Sequence, residues 1–246
     1  SRGLIPWVNK TLSAIGTSEG LRALKALCKE SKITIVSYSF AVLFFAVAAV
    51  HARRKGGNWE VSREGSPTQH ADLAADIRSR LQPDPGNCFM VCIYETWIEA
   101  TIEEDSSLLD IAEDIGQQLQ ACYAEQRLPL FQDRLRESQH YEFLNSAPTC
   151  EVYPSNKVVY NYPTKYSWGE MTSTHSLGSY YCPGSCNHCA FYHCVDGVMD
   201  YSVVCCDGKE NIRNAQDILD LFVVFMEHTE KVTGNTTVMD FVDSRM

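Results

Sequence analysis

Positive charge is scarce in this chain. Lys and Arg together number 21 against 31 Asp and Glu, a formal charge of −10 over 246 residues. Phosphate backbones are bound by clustered Lys and Arg, so a nucleic-acid surface is excluded as a main function. The one dense basic run, Arg53-Arg54-Lys55, reads as a solvated turn after a helix. There is also no internal repeat and no low-complexity tract. Nothing at the start has the charged, apolar and small-residue order of a secretory leader. A cytoplasmic, reducing setting is therefore expected, and the triplets Asn9-Lys-Thr and Asn235-Thr-Thr carry no weight as glycan acceptors.

Cysteine is plentiful, at 11 residues, but the number is odd, so the thiols cannot all pair within the chain. Cys182, Cys186 and Cys189 stand at Cys-x-x-x-Cys-x-x-Cys spacing, and His188, His193, Cys194, Cys205 and Cys206 follow. An iron–sulfur loop or a zinc site would use such residues. A radical-type cluster loop needs a barrel downstream, however, and too few residues remain. A zinc ribbon needs two Cys-x-x-Cys knuckles, and Cys205-Cys206 is not one. A Cys-rich hairpin with thiols acting as small apolar groups is the favoured reading, with no metal site.

Charge is absent altogether from Ile33 to Val50, eighteen residues followed by His51-Ala-Arg-Arg-Lys. That profile suits either a membrane span with a positive flank or a helix buried on every face inside a large domain. Ser37 and Ser39 interrupt the run and no second span follows, which favours the buried helix.

The remaining pattern is mixed α and β. Leu21, Leu24, Leu27 and Cys28 share a face of a helix over Thr17 to Glu30, capped by Thr17 or Ser18 and broken at Ser31-Lys32. The apolar helix spans about 34 to 49, and 55 to 86 reads as a long surface excursion around one short segment, Ala75-Asp-Ile-Arg. Cys88 to Ile102 reads as a strand, and Ser106 or Ser107 caps a helix bearing Leu108, Leu109, Ala112, Ile115, Leu119 and Cys122. A further helix is expected over Phe131 to Leu144 and a short strand over Lys157 to Tyr162. Asp196-Gly197, between Ala190-Phe-Tyr-His-Cys-Val and Val198-Met-Asp-Tyr-Ser-Val-Val, predicts a hairpin. Asp207-Gly208 turns into a last helix over Ala215 to His228. This order predicts an α/β layer with a mixed sheet.

That order, with the phrases that punctuate it, resembles the second half of the CoA-dependent acyltransferase superfamily, which includes chloramphenicol acetyltransferase, fungal and plant O-acyltransferases and peptide-synthetase condensation domains. The phrases are the helix pair in Leu21 to Val50, Asp76-Ile77-Arg78, Gly86-Asn87, Ser107-Leu-Leu-Asp-Ile-Ala-Glu-Asp-Ile, Val158-Val-Tyr-Asn161, Ser167-Trp168-Gly169 and the closing hairpin and helix. The resemblance covers about Gly20 to Glu230. It implies a chloramphenicol-acetyltransferase-like sandwich of mixed β-sheet and helices, with residues 1–246 forming its C-terminal subdomain and a sub-boundary in 55–86.

The resemblance also implies a chemistry. Acyl-CoA serves as co-substrate, with no further cofactor, and an alcohol or amine of a natural product accepts the acyl group, as in a fungal O-acetyltransferase. A histidine in His-x-x-x-Asp, carried by the first half of such enzymes, is the general base. None of His51, His70, His140, His175, His188, His193 and His228 has Asp four residues later. His193 before Asp196-Gly197 is one residue short of that spacing, and the Asp-Gly is already used as a turn. No catalytic residue is therefore expected in this chain, and its partner is the N-terminal half of the same enzyme. Asn161, Trp168 and Gly169 are the candidates for shaping the substrate tunnel. Lys165-Tyr-Ser-Trp-Gly departs from the plant pattern Asp-Phe-Gly-Trp-Gly. A noncatalytic binding module of the same fold and a Cys-rich metal-binding domain are the alternatives.

Overall fold

The computed structural model describes residues 9–54, 68–76, 93–124, 150–160, 165–167, 169–170, 186–195, 197–206 and 208–244. The first described element is a strand that the sequence does not announce, β1 (Asn9–Ile15), and α1 (Ser18–Glu30) follows. Thr17 caps α1, its hydroxyl accepting from the Gly20 N–H at 2.9 Å. The break at Ser31-Lys32 is a left-handed stop. Lys32 has φ 58°, and the Ile33 N–H returns to the Cys28 carbonyl at 3.0 Å.

Helix α2 (Ile35–Arg54) starts at a reciprocal pair, in which the Ser37 N–H reaches the Thr34 hydroxyl at 3.0 Å and the Thr34 N–H reaches the Ser37 hydroxyl at 3.1 Å. The two serines that interrupt the apolar run thus satisfy the helix's own backbone, since Ser39 also donates to the Ile35 carbonyl. From Ser37 to Val50 every residue of α2 is buried. It is long and apolar enough to cross a membrane, yet 83% of its apolar window is buried inside the fold. It contacts α3 (Leu108–Ala124), α4 (Lys209–Glu227) and α5 (Val238–Asp243). A helix whose whole circumference is already covered has no face left for lipid. The protein is expected in the soluble fraction after detergent-free lysis, and partitioning into membranes on flotation would count against this packing.

Arg53 corrects the reading of the basic run as a solvated turn. Its guanidinium donates to the carbonyls of Phe241, Val242 and Ser244 and so closes the C-terminal end of α5.

The main sheet has four strands in the order β1-β8-β7-β4, where β4 is Cys150–Tyr160, β7 is Cys186–Val195 and β8 is Val198–Cys206. β4 runs parallel to β7 and the other pairs are antiparallel, so the sheet is mixed as expected. The expected short strand over 157–162 is longer and earlier. The stretch taken as a surface excursion holds β2 (Thr68–Asp76), which pairs over its full length with β3 (Ile93–Thr101). Its sequence, Thr-Gln-His-Ala-Asp-Leu-Ala-Ala-Asp, has neither a β-branched run nor a sharp alternation, and β3 supplies the pairing that propensity does not. The helix expected over 131–144 and the Gly86-Asn87 phrase lie outside the described residues.

The described helices pack on one face of this sheet. Ala190, Tyr192 and Cys194 of β7 and Met199, Tyr201, Val203 and Cys205 of β8 alternate into a single core with α1, α2, α3, α4 and α5. Burial pushes the Tyr38, Tyr192 and Tyr201 hydroxyls up from their usual range, and it pushes the Cys28 thiol up to about 12. Each of these groups is held neutral in the folded state and ionises more readily once unfolded. The contribution of Cys28 is present below pH 9.0 and is lost as pH rises towards 12, and that of the tyrosines is present below pH 10.0 and begins to be lost above it. The urea midpoint should therefore fall steadily across that window, and a flat midpoint would contradict the burial of these groups.

One carboxylate ties the layers together. Glu227, at the end of α4, accepts from the Thr17 N–H at 2.7 Å, the Thr17 hydroxyl at 2.9 Å and the Tyr201 hydroxyl at 2.6 Å. The chain passes so close to it that a Cβ on Gly16 or Gly20 would stand 2.1 Å from a carboxylate oxygen. Glycine to alanine in a first helical turn ordinarily stabilises by about 0.5–1 kcal/mol. Gly20→Ala should instead destabilise, and the double variant Gly20→Ala/Glu227→Ala should lose less than the sum of the singles. Additive losses in denaturant titrations would show that the two groups do not touch.

Candidate active site

The β7–β8 hairpin is set by its turn. Val195 pairs with Val198, leaving two residues in the loop, and Gly197 takes φ 77°, a conformation open to glycine and costly for most side chains. With the turn fixed, the ladder places His193 directly opposite Asp200. His193 Nε2 lies 3.6 Å from Asp200 Oδ2, an ion-pair distance rather than a hydrogen bond, and the side chains are 3% and 12% exposed. The near-miss of the family motif, Asp196, lies outside the described residues, and the acid that faces His193 across the ladder is Asp200. Counting outward from the two-residue turn would have found it.

His193 and Asp200 stand on the sheet face turned away from the described helices. Cys189, Phe191, Ser202 and Val204 share that face, are all buried, and lie outside the helix-facing cluster. A polar pair shielded from water beside a serine is the one place among the described residues where a buried imidazole and a carboxylate meet. Such a pair can hold a proton or orient a polar ligand group.

Of the tunnel candidates, Gly169 alone is among the described residues. Asn161 and Trp168 lie outside the described residues. Gly169 is exposed and sits in a separate two-stranded ribbon, β5 (Lys165–Tyr166) and β6 (Gly169–Glu170), in which Tyr166 pairs with Gly169. Nothing lies within 4 Å of where its Cβ would be. Among the described residues β5 and β6 pair with each other and with neither β7 nor β8.

Of the cysteines from 182 onward, the described ones are strand residues of β7 and β8. Positions 186 and 189 belong to one continuous strand rather than to a loop. Cys194 and Cys205 join the helix-facing core, whereas Cys189 is buried on the other face. Among the described residues no three His, Cys, Asp or Glu side chains converge as metal ligands would.

No family model matches the chain, and no curated protein does. Solved structures do. The trichothecene 15-O-acetyltransferase TRI3 from Fusarium sporotrichioides superposes over 89% of this chain and 48% of its own, with TM-score 0.59 and 11% identity. The cyclization-docking bidomain of the EpoB peptide synthetase from Sorangium cellulosum covers 95% of this chain and 44% of its own, with TM-score 0.57 and 16% identity. Polyketide synthase associated protein 5 from Mycobacterium tuberculosis covers 89% and 53%, with TM-score 0.56 and 15% identity. The chain thus spans about half the length of the solved structures it matches. Their likeness over nearly all of this chain, with its mixed sheet and packed helices, shows that the chain has the fold of the chloramphenicol-acetyltransferase-like acyltransferases and condensation domains.

Proposed function

We propose that this chain is the C-terminal half of an acyltransferase that moves an acyl group, acetyl in the simplest case, from acyl-CoA to an alcohol or amine of a natural product. The observation that carries this reading is the asymmetry of coverage: 89–95% of this chain against 44–53% of the three structures named above. A half-length match without His-x-x-x-Asp fits a protein whose general base is contributed by another stretch of polypeptide. The acetyltransferase among the similar structures supports the acyl chemistry, and the synthetase domain supports an acceptor from secondary metabolism. In this reading Asn161, Trp168 and Gly169 contribute to the tunnel wall, acyl-CoA is the co-substrate, and no metal takes part. The enzyme works as a soluble cytoplasmic protein.

The test joins this chain to the polypeptide bearing His-x-x-x-Asp and follows label from [14C]acetyl-CoA into an alcohol acceptor. Label transfer that disappears when that histidine becomes alanine supports the proposal. Transfer that survives the substitution overturns it.

A further inference from the structure

The edge of the main sheet is formed by β1, and among the described residues no strand pairs with its outer side. Sheet edges are usually blunted by a bulge, a proline, an inward charge or a covering element, because an open row of N–H and C=O groups recruits other strands. β1 has little of this protection. All seven of its residues hold one unbroken register with β8, no proline or bulge interrupts it, and its single charge, Lys10, lies near its start. Thr11, Ser13 and Ile15 alternate outward and are exposed, and Ile15, at 63%, is an exposed large apolar side chain on an otherwise well-buried fold. The strand is also rigidly placed. The Gly16 N–H donates to the Met199 carbonyl at 2.8 Å, and one residue later Glu227 takes two hydrogen bonds from Thr17. An ordered, unprotected edge is an acceptor for a further strand.

We infer that the outer edge of β1 receives a strand from the His-bearing half, which would extend the four-stranded sheet and cover Ile15. This rests on the half-enzyme reading, because the structures that share this fold carry about as much chain again as is present here, and that length must pack against something. The edge commits to a strand rather than a helix, since the groups that no described strand pairs are main-chain donors and acceptors in a row.

Hydrogen exchange of the amides in residues 11–15 tests this, comparing the chain alone with the chain joined to the half that bears His-x-x-x-Asp. The outward amides should be protected about tenfold or more in the joined protein. Thr11→Lys/Ile15→Lys should abolish that gain while leaving the thermal midpoint of the chain alone unchanged, because both side chains are exposed. Equal exchange in the two proteins overturns the inference, and it does so without touching the functional proposal if the joined protein still transfers acetyl. Protection without transfer sustains the docking edge and sinks the functional proposal. Protection in the chain alone that grows with its concentration, together with a dimer by sedimentation, assigns the edge to a second copy and overturns the inference.

Discussion

Phe222→Ala is expected to destabilise the protein by about 3–5 kcal/mol, a large share of the roughly 5–15 kcal/mol by which domains are held folded. Phe222 is 0% exposed and stands where α4 meets the sheet. Its ring meets Tyr201 at 5.4 Å and 86°, and Tyr192 at 5.8 Å and 68°, both edge-on arrangements that add to simple burial. Removing it opens a void between the helix layer and the hairpin that also carries His193 and Asp200, and close-packed neighbours relax only partly into such a space. Val223, the next residue on the same helix, is partly exposed, so Val223→Ala should cost about 1 kcal/mol or less. Urea titrations compare the two through their midpoints at constant slope. Equal, small shifts would mean that the α4–sheet contact does not carry the fold.

The elements that were legible in the sequence are those whose signal is local. Thr17 as a cap, the stripe Leu21–Leu24–Cys28 and the stop at Lys32 can be read from residues three or four apart, and the structure has each of them. The hairpin at 196–197 was equally plain, because a two-residue turn flanked by β-rich runs admits few geometries. What escaped was set by pairing partners distant in sequence. β1 has a weak alternation, with Leu12 and Ala14 inward and Thr11, Ser13 and Ile15 outward, and it exists because β8, nearly two hundred residues on, offers an edge. β2 is similar: its pairing with β3 outweighs a composition poor in strand formers.

The site shows the same division. The absence of His-x-x-x-Asp is a statement about spacing and needs no structure. The pairing of His193 with Asp200 needs the ladder, because residues seven apart become neighbours only through the turn between them. The role of Glu227 was invisible for another reason. Its partners come from a strand–helix junction and a second strand, and the glycines that make room for it, Gly16 and Gly20, look in the sequence like ordinary punctuation.

The second large effect concerns catalysis. Without a positioned imidazole the acceptor must lose its proton to water, and general-base assistance is worth roughly a hundred- to ten-thousand-fold in such reactions. His193 is an inadequate substitute, since at 3% exposure, facing a carboxylate across the ladder, it cannot reach an acceptor in bulk solution. The chain alone should therefore leave acyl-CoA essentially intact, and joining it to the His-bearing half should raise turnover by at least about a hundredfold. Release of free CoA thiol from acetyl-CoA, corrected for the 11 cysteines of the chain itself, measures this directly. The half-enzyme account predicts a rate for the isolated chain no higher than that of buffer with acceptor. Turnover near 10 per second by the isolated chain, an ordinary enzymatic rate, lost on His193→Ala, would contradict it and place the catalytic base in this chain.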